Sequence, residues 1–267
     1  TATTLLGDGS GIIDAIAPGL VSGSAQLATS ISGSFKKGFG FAGVIQTAAG
    51  GSWSAGGNLT RTTYLQAGGL SGTGTKSAAL MIGGRGNAQT EEYDGTSFTE
   101  KNDTSEVKYT SAMVGTTEAA VIFGGSTSHT IGGILVNTEE WNGTNWSEVN
   151  NLSQERWYHG KLGIASDAAK AIGGEKSSPT ANTDSVEDWN GTNWSEGTDL
   201  PTALYSVTSA GTYDSGIVMG WSGTETYCWN GSSWSAVATR ALQRYQLAGG
   251  AGTSNDAFIA GGRSPGV

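Results

Sequence analysis

The octapeptide Trp141-Asn142-Gly143-Thr144-Asn145-Trp146-Ser147-Glu148 recurs unchanged at 189–196 and, altered, at 229–235 (WNGSSWS). Fainter copies stand at 93–99 (YDGTSFT) and 50–54 (GGSWS). A unit used five times constrains the fold more than composition can. Each copy is one small element that cannot bury its apolar face alone, so neighbouring copies have to stack. Aligning the aromatic after the turn gives Trp53, Phe98, Trp146, Trp194 and Trp234, spaced by 45, 48, 48 and 40 residues. Eleven residues beyond each stands a second aromatic: Tyr64, Tyr109, Trp157, Tyr205 and Tyr245. That offset is constant while the overall period drifts.

Each copy also carries an apolar run that ends in small residues: 79–84 (ALMIGG), 120–125 (AVIFGG), 169–174 (AKAIGG), 216–220 (GIVMG) and 257–262 (AFIAGG). A variable loop then leads to a segment such as 137–141 (NTEEW) or 185–189 (SVEDW). The unit therefore reads as four short strands. The first carries the second aromatic, the second is the apolar run, the third is TEEW-like and the fourth NWSE-like. Asn-Gly or Asp-Gly between the last two tolerates positive φ and predicts a tight hairpin. An apolar second strand is suited to burial on both faces, and the recurring Trp is broad enough to fill the gap between neighbouring sheets. Four-stranded sheets at this period predict an all-β fold of the β-propeller type. The last unit stops after its second strand at Gly262, whereas 41–54 (FAGVIQTAAGGSWS) reads as a third and fourth strand placed before the first complete unit. Joining the N- and C-terminal strands in one blade predicts five blades and a ring without an open sheet edge.

Residues 1–40 stand apart from this propeller at 41–267. Apolar and small positions at 20, 24, 27, 28, 31 and 35 share one helical stripe. Gly23 and Gly33 each weaken such a helix by about 1 kcal/mol. The segment is expected to be partly helical on a partner surface, with a flexible leader as the alternative. No basic and apolar signal segment opens the chain at Thr1, and the absent initiator Met implies processing or an incomplete start.

Composition removes several function classes. The 44 Gly against four Pro fit many tight turns, and nine Trp with eight Tyr provide core material. A net charge of −9 argues against nucleic acid or an anionic membrane surface as partner. No run of about 18 apolar residues exists, so no membrane insertion is expected. A single Cys228 excludes an intrachain disulfide and a Cys-based zinc site. Gly72-Thr73-Gly74-Thr75-Lys76-Ser77 has Thr where a phosphate loop needs Gly, and no helix follows, so it reads as a hairpin. The sequons within WNGTNWSE recur because the turn recurs.

Glu91-Glu92, Glu139-Glu140 and Glu187-Asp188 occupy one repeat position. Adjacent strand residues face opposite sides, so no pair forms a two-carboxylate hydrolase site within a copy. They are expected to be solvated outer-strand charge that blunts aggregation. The second aromatics are the binding candidates. Tyr64, Tyr109, Trp157, Tyr205 and Tyr245 stand once per blade at one level, and with Tyr158, Gln243, Arg61, Arg156 and Arg244 they could form a platform for sugar rings. The alternative is that they pack between blades.

The Gly-Gly after an apolar strand, the later Trp and the downstream aromatic together resemble kelch repeats. Arg61-Thr62-Thr63-Tyr64 and Gln154-Glu155-Arg156-Trp157 stand where kelch units carry an Arg and an aromatic. Arg is present in some copies only, and the Asn-Gly turn is tighter than the usual kelch loop. The wording NTEEWNGTNWSE with AALMIGG-type strands resembles kelch-like propellers in virion proteins of marine and cyanobacterial tailed phages. The segment 22–35 (SGSAQLATSISGSF) with Lys36-Lys37-Gly38-Phe39-Gly40-Phe41 resembles leader segments of such structural proteins. The resemblance implies a virion location, attachment to other virion proteins through residues 1–40 in symmetric copies, and display on a tail fibre, neck appendage or capsid, with host-surface glycan as a possible ligand. Kelch-type propellers include a copper oxidase that needs a tyrosine, two histidines and a thioether-linked cysteine. His129, His159 and Cys228 do not reproduce that set, and WNGTNW lacks the carboxylate of a sialidase Asp-box. The resemblance thus implies no catalytic residues, metal or cofactor. A glycan-active enzyme and a cellular kelch-type scaffold remain the alternatives.

Overall fold

Every complete copy of the repeat folds into four antiparallel strands, paired in the order in which the sequence presents them. A computed structural model describes residues 56–60, 70–84, 87–128, 132–177, 180–221, 225–237, 249–252 and 258–260, all within the unit Gly56–Val267. The first sheet comprises β1 (Leu70–Thr75), β2 (Ala78–Gly83), β3 (Thr90–Tyr93) and β4 (Phe98–Lys101). The second holds β5 (Ala112–Gly115), β6 (Ala120–Phe123), β7 (Thr138–Trp141) and β8 (Trp146–Glu148). In the third, β9 (Gly160–Ala165) and β10 (Ala168–Ile172) are followed by an inserted hairpin, β11 (Glu175–Ser177) and β12 (Thr180–Asn182). That sheet is completed by β13 (Val186–Trp189) and β14 (Trp194–Glu196). The fourth is β15 (Thr208–Thr212), β16 (Ser215–Met219), β17 (Thr226–Trp229) and β18 (Trp234–Ala236), and a last hairpin pairs β19 (Gly249–Ala251) with β20 (Phe258–Ala260). No helix occurs among the described residues. The helix expected within 20–35, the strands expected within 41–54 and the boundary at residue 40 lie outside them.

The octapeptide makes the outer hairpin and links it to the sheet before. Asn142 Oδ1 accepts the N–H groups of Thr144 at 3.0 Å and Asn145 at 2.9 Å, while Gly143 takes φ +89°, a region open mainly to glycine. From the preceding loop, Asn102 Nδ2 donates to Thr144 O at 2.9 Å and Asn145 Oδ1 at 2.8 Å. Asn150 repeats both bonds toward Thr192 and Asn193. One asparagine of the motif therefore shapes the turn, and the other receives the grip of its neighbour.

The two tryptophans divide the packing. Trp141, Trp189 and Trp229 are buried and donate Nε1–H within their own sheets, to Thr117 O at 2.8 Å, Ser166 O at 2.9 Å and Tyr213 O at 3.0 Å. Trp146 and Trp194 reach across to the preceding sheet, each donating to a threonine hydroxyl, Thr90 or Thr138, at 3.0 Å. Trp194 also meets the Phe123 ring edge-on, 4.8 Å between centroids. The wedge read from the sequence is thus present. Where Val186 replaces the threonine, Trp234 turns its N–H to Thr198 O at 2.8 Å. Between wedges lie the second strands, of which β6 is buried along its whole length.

Successive sheets meet through their first strands: β1 lies beside β5, β5 beside β9, β9 beside β15 and β15 beside β19. Hydroxyls replace a backbone ladder there. Ser71 donates to Ser111 O, Thr73 to Gly115 O at 2.8 Å, and Ser209 to Lys161 O. Lys161 Nζ, on β9, donates to Gly72 O of β1 at 3.0 Å and to Met113 O of β5. Three first strands thus converge within reach of one side chain. Burial pushes this amine down to about 8.

The paired carboxylates correct the expectation of solvated charge. Glu91, Glu139 and Glu187 are buried, and only their neighbours Glu92, Glu140 and Asp188 turn outward. Glu187 accepts the backbone N–H of Ser153 at 2.7 Å, and Glu139 that of Ser105 at 2.9 Å. Glu91 likewise receives the N–H of Thr60 at 2.7 Å and its hydroxyl. Strand alternation sends one carboxylate of each pair inward, where a loop with unsatisfied donors needs an acceptor.

Candidate functional site: an aromatic strip at the strand ends

In the three copies whose second aromatic is described, that aromatic lies beside the residue that follows the glycines after the second strand. Tyr109 bridges Ser126 and Trp157 bridges Glu175, while Trp221 donates its N–H to Tyr205 O at 2.7 Å. Glycine permits this approach: a Cβ on Gly174, at φ +101°, would come within 2.7 Å of Trp157 O. One level at the strand ends therefore combines a constant aromatic with a variable neighbour, namely Ser126, Glu175 or Trp221.

Just after the aromatic, Thr110, Tyr158 and Ser206 adopt φ of +56°, +50° and +52°. Non-glycine residues rarely take this conformation, and it costs on the order of 1–3 kcal/mol. Its recurrence in three copies marks it as part of the architecture. In the third copy it projects an additional ring, Tyr158, between its neighbours. Tyr158 lies 6.4 Å from Tyr109, 4.8 Å from Trp157 and 5.3 Å from Tyr205 between centroids, and Tyr205 lies 5.2 Å from Trp221. The rings form a continuous strip spanning three copies.

Burial divides the strip. Tyr109 and Trp157 are 4% and 5% exposed, packed with Ile134 from the loop between β6 and β7. Tyr158 and Tyr205 are half-buried, and Trp221 is 39% exposed. Among the described residues, the accessible part of the strip is therefore Tyr158, Tyr205 and Trp221. Trp221 is not among the candidates named from the sequence; its signal there is the register after Gly220 that it shares with Ser126 and Glu175.

The phenols remain protonated donors. Burial raises the Tyr158 hydroxyl far above its ordinary value, reinforced by its hydrogen bond to Tyr109. Tyr205 is pushed up to about 12, mainly by burial and further by the charge of Glu175. Glu175 Oε2 accepts Trp157 Nε1–H at 2.9 Å, and its Oε1 has no partner among the described residues. The strip thus offers flat ring surface, phenol donors and one carboxylate acceptor.

Other expected participants are elsewhere. Arg156 is fully buried and cannot face a ligand. It donates to Glu187 Oε1 at 2.8 Å, Gly173 O at 3.1 Å and Ser185 O at 2.9 Å, because the inward glutamate requires a counter-charge. Arg61, Tyr64, Gln243, Arg244, Tyr245 and His129 lie outside the described residues. His159 is buried beside Phe123, and burial pushes its imidazole down to about 3. Cys228 is half-buried in β17. Among the described residues no three His, Cys, Asp or Glu side chains gather as metal ligands would. Gly72–Thr75 run in β1, and Lys76 and Ser77 make its turn into β2, as the hairpin reading expects.

No family model and no curated protein matches the chain. A solved structure described as "Structure of YjhT" is similar over 74% of this chain and 78% of that one, with a TM-score of 0.61 and 14% identity. At that identity the likeness concerns the fold alone.

Proposed function

We propose that the chain is a structural protein of a tailed-phage virion. In this proposal a closed five-bladed, kelch-like propeller is displayed outward, residues 1–40 attach it to other virion proteins, and it is present in symmetric copies. Its exposed strand-end face contacts glycans of the host surface. The observation that carries the adhesive part is the strip Tyr158–Tyr205–Trp221, flat ring surface held on a buried scaffold. Closure of the ring is supported by the contacts between successive first strands and by Lys161, which spans three of them. The virion context rests on the sequence of residues 22–41 and on the wording of the repeat.

Mass spectrometry of purified virions, with electron microscopy of particles carrying a labelled chain, tests the location. The protein is expected at a symmetric copy number on a surface appendage, and its absence from virions would sink the proposal. Hydrolysis of a polysaccharide by the purified chain would replace it with a glycan-active enzyme.

A further inference from the structure

The end face repeats its aromatic and varies the residue beside it. We propose that the position after the glycine pair sets what each sector of this face binds, and that the Glu175–Trp221 sector takes a neutral oligosaccharide. This rests on the adhesive reading of the same face and names its ligand class and two determining residues.

Three observations carry the assignment. The exposed rings are linked edge to face or tilted, Tyr158 to Tyr205 at 5.3 Å and Tyr205 to Trp221 at 5.2 Å. Among the described residues they form a strip along which sugar rings can lay their C–H faces. Glu175 presents Oε1 without a partner among the described residues, an acceptor for sugar hydroxyls, while its Oε2 is fixed by Trp157. Its charge bears on both Tyr158 and Tyr205.

Charge then selects among sugars. A uronate or sialate carboxylate beside Glu175 would meet a like charge, and four cations among the described residues are already engaged. Lys108 pairs with Glu139 at 3.1 Å, Arg156 with Glu187 at 2.8 Å and Lys170 with Asp188 at 2.6 Å, while Lys161 is held by strand carbonyls. Lys176 follows Glu175 in β11 and so faces the other side of that strand. A hydroxyl-rich neutral chain satisfies the carboxylate and the phenols together. Ser126 at the same register provides neither ring nor charge, so its sector contributes less.

An array of neutral and acidic oligosaccharides probed with the full chain, followed by calorimetric titration of the best hit, tests the assignment. A neutral hit is expected. Trp221→Ala should weaken it about tenfold or more by removing a stacking surface. Glu175→Gln should weaken it about fivefold, because the amide oxygen is retained by Trp157 and an NH₂ group replaces the free acceptor. Both variants should keep the melting temperature of the parent, since neither side chain is in the core. Neutral binding unaffected by either change, or hits confined to acidic glycans, would overturn the assignment while leaving adhesion in place. No hit in either class would count against adhesion itself, and the assignment would fall with it.

Discussion

At the scale of single residues, the chain exchanges three positions as a set. Ser153, Arg156 and Glu187 form one buried lock, in which the loop N–H and the guanidinium both meet the carboxylate. Ser105, Lys108 and Glu139 repeat it. In the next copy the corresponding residues are Pro201, Leu204 and Tyr227. Proline has no N–H to offer, leucine joins the apolar core, and the Tyr227 hydroxyl meets Thr202 at 2.9 Å. A buried charge pair and its apolar substitute are interchangeable only as complete sets. Arg156→Ala should therefore cost about 3–5 kcal/mol in denaturant unfolding, because it leaves Glu187 charged and buried. The combined Ser153→Pro, Arg156→Leu, Glu187→Tyr variant should be more stable than Arg156→Ala; if it is less stable, the set is not transferable. His159 gives a second expectation. Its folded value near 3 lies below the ordinary 6.5, so the unfolded chain binds more protons between these limits. Its contribution is fully present above about pH 6.5 and is lost as pH falls toward 3. His159→Gln should flatten that part of the stability profile relative to the parent, as read by urea unfolding at stepped pH; an unchanged slope would show that His159 is not held neutral.

At the scale of the element, the wedge between sheets depends on one hydrogen bond as well as on ring area. Trp194→Phe and Thr138→Val each remove one end of the 3.0 Å bond. A double-mutant cycle should return a coupling of about 0.5–1.5 kcal/mol, and zero coupling would assign the wedge to packing alone. Thr138→Val also copies the natural arrangement at Val186, where the tryptophan of the next copy bonds a loop carbonyl. The hairpin, the wedge and the buried second strand were legible in the sequence because each has a periodic marker: Asn-Gly, Trp and the apolar run into glycine. The inward glutamates were not, since a Glu-Glu pair on a strand does not say which of its faces meets a donor-rich loop. The strip was partly legible. Its level followed from the constant offset of Tyr109, Trp157 and Tyr205, but their exposure depends on insertions. The loop carrying Ile134 covers Tyr109 and Trp157, and no repeat pattern encodes that. Trp221 carries no such marker, because its copy has a single glycine and the register is obscured.

At the scale of the molecule, the sheets depend on one another through their first strands. Hydroxyl bridges from Ser71, Thr73 and Ser209, and the reach of Lys161 from β9 to β1 and β5, tie these strands across sheet boundaries. A stack of this kind has two ends unless it closes, and an unpaired edge is a template for association with another chain. The last hairpin supplies only the first two strand positions of its unit, β19 and β20. The proposed ring needs residues 41–54 to fill the remaining two. Removing residues 1–40 should therefore leave the melting transition and the monomer elution volume of the rest of the chain unchanged. Removing residues 1–54 should broaden and lower the transition and produce higher-order species by size-exclusion chromatography, because β20 would then present a free edge. Adding a peptide of residues 41–54 in trans should reverse part of that loss, since strand addition satisfies the edge through main-chain hydrogen bonds. If the two truncations behave alike, residues 41–54 do not complete the last sheet, and the proposed five-bladed closure fails with them.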